Sequence, residues 1–90
     1  MKFIWDVNKE QKNVEKHGLS FSLAYKMFLD VNNVDFEDVR YNYGEERRII
    51  YSNVDNVKLC MCYSIREDEK RVISLRKANK TGWPKCLPPR

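Results

Sequence analysis

Ninety residues with a formal net charge of +4, 42% hydrophobic and 33% charged, bound the chain to one small globular domain with a single modest core. That balance excludes a disordered tract, and no apolar run approaches the ~20 residues a helix needs to cross a bilayer. The opening Met1-Lys2-Phe3-Ile4-Trp5-Asp6 carries no apolar signal region, so a cytoplasmic protein is expected.

In chain order, residues 2–5 read as a short strand with Phe3 and Trp5 on one side. Asp6 is placed to cap a helix from about Val7 to His17, because its carboxylate reaches the free N–H groups of the first turn. The helix is mostly polar, with Val7, Gln11 and Val14 as a thin apolar seam. Lys16, His17 and Gly18 make its stop: the cations suit the negative end of the helix dipole, and Gly takes the left-handed conformation cheaply. Ser20 caps a second helix, Phe21 to Leu29, whose Phe21, Ala24, Tyr25, Phe28 and Leu29 form one apolar stripe. Val34 to Phe36 is a candidate strand, and Glu37 to Glu46 is a polar loop.

From Arg47 the period changes to two. Arg47 to Ser52 reads as a strand and residues 53–56 as a turn of residues tolerant of positive φ. Val57, Leu59, Met61 and Tyr63 then alternate with Lys58, Cys60, Cys62 and Ser64 as a half-buried strand. Glu67 to Lys70 is the next turn and Arg71 to Arg76 the last strand, with Ile73 and Leu75 on one side and Val72, Ser74 and Arg76 on the other. The pattern predicts an α+β domain over residues 1–80: an antiparallel meander, the N-terminal strand at an edge, and two helices on one face. Residues 81–90 form a tail whose prolines forbid a helix.

The three cysteines, Cys60, Cys62 and Cys86, make no disulfide framework, and no fourth ligand is spaced to complete a zinc site. No metal or other cofactor is expected. Acidic residues Asp30, Asp35, Glu37 and Asp38 fill the middle, whereas Arg66, Lys70, Arg71, Arg76, Lys77, Lys80, Lys85 and Arg90 make the last third basic. Gathered on one face, those cations would suit a phosphate backbone. A DNA-reading role is disfavoured, because the helices show no basic recognition face and the second carries only Lys26.

Three separated blocks now carry a resemblance. Trp5-Asp6 followed by Lys9, Asn13, Lys16-His17-Gly18, Phe21, Ala24 and Phe28 resembles the opening of the BrnT family. Gly44-Glu45-Glu46-Arg47 is similar to the start of its central hairpin, and Arg71 to Ala78 (Arg-Val-Ile-Ser-Leu-Arg-Lys-Ala) to its last strand. The likeness covers roughly residues 3 to 80 with the blocks in the family's order; the tail departs from the charged helix usual there. What the resemblance implies is a RelE-like ribonuclease toxin of a type II toxin–antitoxin pair. A ribbon-helix-helix antitoxin (BrnA-like) would neutralise it, and DNA would be reached only through that partner.

RNA cleavage without a metal needs a base for the 2′-hydroxyl proton, cations for the phosphorane and an acid for the leaving 5′-oxygen. The candidate catalytic residues are His17, Glu45, Arg47, Arg66 and Arg76. Arginine offers a planar two-bond fork to phosphate, and an imidazole exchanges protons near neutrality. Glu46 is an alternative to Glu45. Candidate RNA-binding residues are Lys16, Tyr43, Tyr63, Ser74 and Lys77, with Tyr41 a further stacking ring. The rival readings are a catalytically inactive module that only docks an antitoxin, and an RNA-binding module without catalysis.

Overall fold

The computed structural model describes residues 2–39 and 42–78. The proline-containing tail, Tyr41, Cys86, Lys80, Lys85 and Arg90 lie outside the described residues. The elements are β1 (Lys2–Ile4), α1 (Val7–His17), a 3₁₀ turn (Phe21–Leu23), α2 (Ala24–Leu29), β2 (Val34–Glu37), β3 (Glu46–Val54), β4 (Val57–Arg66) and β5 (Glu69–Lys77). The strands form one five-stranded sheet in the order β1-β5-β4-β3-β2.

Strands β2 to β5 pair antiparallel, but β1 runs parallel to β5, with Lys2 opposite Glu69 and Ile4 opposite Arg71. The sheet is therefore mixed, and the expectation of a purely antiparallel meander fails at this edge. No hairpin joins β1 to β5, so no turn dictates their relative direction. Between β3 and β4 a two-residue turn does dictate it: Asp55 (φ 51°) and Asn56 (φ 66°) both adopt the left-handed region that a tight right-twisted hairpin demands.

Helix α1 has the predicted bounds and caps. Asp6 Oδ1 accepts from the N–H groups of Asn8 and Lys9 at 2.7 and 3.1 Å. Gly18 ends the helix at φ 71° and donates its N–H to the Val14 carbonyl at 2.8 Å. The seam of Val7 and Val14 fails, since the two are 70% and 43% exposed. A polar residue holds α1 instead. Asn13 is buried; its Nδ2 donates to the carbonyls of Leu19 (3.0 Å) and Leu75 (2.9 Å), and its Oδ1 accepts the Leu75 N–H at 3.1 Å. The paired β1 residues stop at Ile4, opposite Arg71, so beyond that point the amide of Asn13 supplies Leu75 with the donor and acceptor a neighbouring strand would have given.

The second helix opens as a 3₁₀ turn, which rotates the buried stripe. Ser20 Oγ accepts from Ser22 N–H at 3.2 Å, and Glu10 reaches from α1 to accept from Ser20 Oγ (2.7 Å) and Phe21 N–H (3.2 Å). At three residues per turn, positions three apart lie above one another. Phe21, Ala24 and Met27 are accordingly fully buried, whereas Tyr25 and Leu29, expected inside, are 48% and 79% exposed. Met27 was missing from the expected stripe; full burial of a side chain that size contributes about 1.5–3 kcal/mol.

Both helices cover one face of the sheet, where Ile50, Leu59, Met61, Tyr63, Val72 and Leu75 meet them. The opposite face has its own small apolar cluster of Ile49, Tyr51 and Cys60, with Val34, Phe36 and Ala78 against it. Strict alternation breaks in β5. Cys62 faces Ser74 and Tyr63 faces Val72, which leaves Ile73 as the extra residue of a bulge. Val72 and Leu75 therefore share the covered face. Ile73, expected beside Leu75, turns with Ser74 and Arg76 to the open one.

Candidate nucleic-acid site

Adjacent residues of a strand point to opposite faces, so β3 sends Arg47 to the open side and Arg48 to the covered side. On the open side a pocket of about 380 Å³ has a floor of Ile49, Tyr51, Cys60 and Cys62. Asp38, Tyr43 and Arg47 form one wall of it; Ile73, Ser74 and Arg76 form the other.

The first wall is pre-arranged. The Arg47 guanidinium carbon lies 4.2 Å above the Tyr43 ring, and its Nε bonds Glu45 Oε2 at 3.2 Å. The Tyr43 hydroxyl donates to Asp38 Oδ2 at 2.9 Å, and the Asp38 N–H donates to the Arg47 carbonyl at 2.7 Å. Asp38 is only 4% exposed. Arg76 is held far more loosely: among the described residues its guanidinium makes one long hydrogen bond, 3.4 Å, to the Lys77 carbonyl. Two cations, one held by several partners and one by a single long hydrogen bond among the described residues, thus face a shared cavity with the hydroxyl-bearing residues Tyr43, Tyr51 and Ser74. Ser64, opposite Arg47 in the ladder, has a buried hydroxyl with no hydrogen-bond partner among the described residues.

Of the residues singled out in the sequence, Arg47, Arg76, Tyr43 and Ser74 come together here. Glu45 sits behind them, with one oxygen on Arg47 and the other 3.7 Å from the Nε of the exposed Arg66. His17 and Lys16 do not line this pocket. They line a smaller depression of about 230 Å³ with Lys9, Lys12, Asn13, Ile73 and Ser74, so Ile73 and Ser74 border both hollows. Lys77 pairs with Leu59 and so points to the helix-covered side.

Tyr63 is corrected outright. It is fully buried against Phe28, at 5.3 Å between ring centroids, and cannot stack on RNA. Its hydroxyl donates to Asp35 Oδ2 at 2.5 Å, and the Asp35 Oδ1 accepts from Arg48 Nε at 3.0 Å. Burial first, then the bond to Asp35, pushes the Tyr63 phenol far above its ordinary range. Burial opposes the charge on Arg48, but the Asp35 carboxylate outweighs it and raises the guanidinium further. Burial also lowers Lys70, whose ammonium lies 4.3 Å from the Phe28 ring centroid, while Asp35 pulls the other way. The basic last third is therefore divided between the faces rather than gathered on one.

Sequence reasoning missed Asp38, Tyr51, Lys9 and Lys12 as site residues. Nothing local distinguishes Asp38 from the other carboxylates of its acidic stretch. Lys9, Lys12 and Lys16 carried a readable signal, since i, i+3 and i+7 share one helix face; the reading that the helices lack a basic face is corrected on that ground. Among the described residues no group of three or more His, Cys, Asp or Glu is arranged to hold a metal ion, and no helix is long and apolar enough to cross a membrane.

The described residues thus form an α+β domain with Arg47 and Arg76 on the open face of its sheet. The family model described as "Ribonuclease toxin, BrnT, of type II toxin-antitoxin system" matches residues 5–81. The chain belongs to that family, which carries with it an RNA target and an antitoxin partner. No curated protein matches the chain.

Proposed function

We propose that the protein is an endoribonuclease that cleaves RNA without a metal ion in the pocket of the open face. The observation that carries this reading is the convergence of Arg47 and Arg76 with Tyr43, Asp38 and Ser74 on one cavity, in a chain of a ribonuclease toxin family. Arg47 and Arg76 hold the scissile phosphate and neutralise the charge that builds on its oxygens, the largest single contribution such a site can make. Asp38 takes the proton of the 2′-hydroxyl, which attacks phosphorus as the bond to the 5′-oxygen breaks. The Tyr43 hydroxyl returns a proton to that oxygen, leaving a 2′,3′-cyclic phosphate and a free 5′-hydroxyl. Glu45 positions Arg47, and Arg66 steadies Glu45. His17 is outside the pocket lining and is given no step.

Purified protein in EDTA should cleave single-stranded RNA and leave cyclic phosphate ends. Cleavage that requires added magnesium and vanishes with EDTA would contradict the mechanism.

In the same proposal the fold is RelE-like, the protein acts in the cytoplasm, and its antitoxin is a ribbon-helix-helix protein of the BrnA kind. An acidic antitoxin segment would suit a chain of net charge +4. Association should then slow as salt rises, and a rate indifferent to ionic strength would contradict that docking mode.

A further inference from the structure

The smaller depression beside α1 has a chemistry of its own. Lys9, Lys12 and Lys16 fall within an arc of about 60° on the helix and span on the order of 10 Å along its axis. Among the described residues no carboxylate lines the hollow they share with His17 and Ser74. Among the described residues none of the three lysines has an acidic partner, although Lys2 and Lys26 pair with Glu69 and Asp55 at 3.5 and 3.7 Å. Glu10, next to Lys9 in sequence, is occupied by Ser20 and Phe21, and Glu15, next to Lys16, makes no ion pair with any of the three among the described residues. A row of unpaired ammonium groups raises the local potential and attracts a polyanion.

Its position matters as much as its charge. The short β1 leaves the edge of β5 beyond Arg71 without a strand, and Asn13 anchors α1 against that edge at Leu75. The bulge at Ile73 turns Ile73 and Ser74 into the rim between the lysine hollow and the arginine pocket. A chain lying along the lysines therefore meets Arg76 on β5 first and reaches Arg47 on β3 after passing β4.

We propose that Lys9, Lys12 and Lys16 form a phosphate track that leads single-stranded RNA over the edge of β5 into the arginine pocket. The track rests on the reading of that pocket as an RNA site. An acidic protein segment would also be drawn to the lysines, but continuity with the two arginines favours one polyanion that occupies both hollows.

The test is binding of a fluorescent 2′-O-methyl oligonucleotide, which offers no free 2′-hydroxyl for cleavage and so reads the track whether or not the protein proves to be a nuclease. Affinity of the wild type should rise from a trinucleotide to an oligonucleotide long enough to span both hollows. K9Q/K12Q/K16Q should flatten that rise and reduce the slope of log affinity against log salt by about 2, or roughly 0.7 per lost contact. Glutamine keeps the helix propensity of lysine, and K12Q alone should lower the slope by roughly 0.7 if the triple variant folds poorly. Wild-type affinity and slope in these variants would overturn the track. Unchanged RNA binding with lost capture of the antitoxin would also overturn it and assign the face to the protein partner. Absence of RNA cleavage by the wild type, with the salt slopes as predicted, would instead remove the nuclease reading and leave the track standing.

Discussion

Arg47 and Arg48 are neighbours in one strand, and each has a tyrosine and a carboxylate within reach, yet they do different work. On the covered face Arg48, Asp35 and Tyr63 satisfy one another, and Glu46 Oε2 takes a further Arg48 hydrogen at 3.3 Å. That cluster is closed: its ring is buried, its phenol is held protonated, and removal of one member leaves the others short of a partner. On the open face Arg47, Tyr43 and Asp38 are also linked, but a cavity adjoins them and Arg76 stands opposite with a single weak hydrogen bond among the described residues. Residue type does not separate a structural cluster from a reactive one. What separates them is whether the partners use up every donor.

The largest expected effect belongs to the covered side. Asn13→Ala removes the amide that satisfies Leu75 N–H and C=O together with the Leu19 carbonyl, so it should cost about 2–4 kcal/mol of stability. Asn13→Asp should do no better, because a carboxylate would face two carbonyl oxygens. Chemical denaturation would check both; near wild-type stability would mean that α1 is held by other contacts.

A smaller change of opposite sign is expected at Ser64. Its hydroxyl is buried on the open face without a partner among the described residues, so Ser64→Ala should leave stability unchanged or raise it by up to about 1 kcal/mol. A clear loss in thermal unfolding would show that the hydroxyl is engaged.

The smallest effect is a pH dependence at the end of α2. The Asn53 N–H, then the Asn32 N–H, hold Asp30 below its ordinary value of 3.8, with Ser52 adding a third hydrogen bond. A carboxylate whose folded pKa is depressed contributes its full stabilisation above the unfolded value and loses it as pH falls through the folded one. Asp30→Asn should therefore reduce the steepness of acid unfolding below about pH 3.8. An unaltered acid limb would contradict this role.

Much of the covered side was legible because local chemistry dictated it. Asp6 and Gly18 start and stop α1 through side-chain capping and backbone freedom respectively, and the β4 alternation records which residues meet the helices. The rest depended on contacts between distant residues. Asn13 reads as one more polar helix position until Leu75, far along the chain, supplies its partners. A 3₁₀ opening moves the buried stripe from Tyr25 and Leu29 to Met27, and no residue in that stretch announces it. Bulged Ile73 breaks a period of two that the sequence keeps without interruption. Arg76 was found because alternation sets it on the face away from Leu75, whereas Arg47 was named for the phosphate chemistry of its guanidinium and for the Gly44–Arg47 block. Asp38 was not, because its burial comes from the fold around it.

Arg76 tests the division between the two faces most directly. Thermal unfolding and RNA cleavage should be measured side by side for the wild type, Arg76→Ala and Arg76→Lys. An exposed residue whose guanidinium makes one weak bond among the described residues predicts a stability change within roughly 0.5 kcal/mol for Arg76→Ala. Loss of a cation that stabilises the phosphorane predicts cleavage lower by about 100-fold or more, with only part of the rate recovered by lysine, which keeps the charge but lacks the fork. Folded Arg76→Ala protein that cleaves RNA at the wild-type rate would contradict the account.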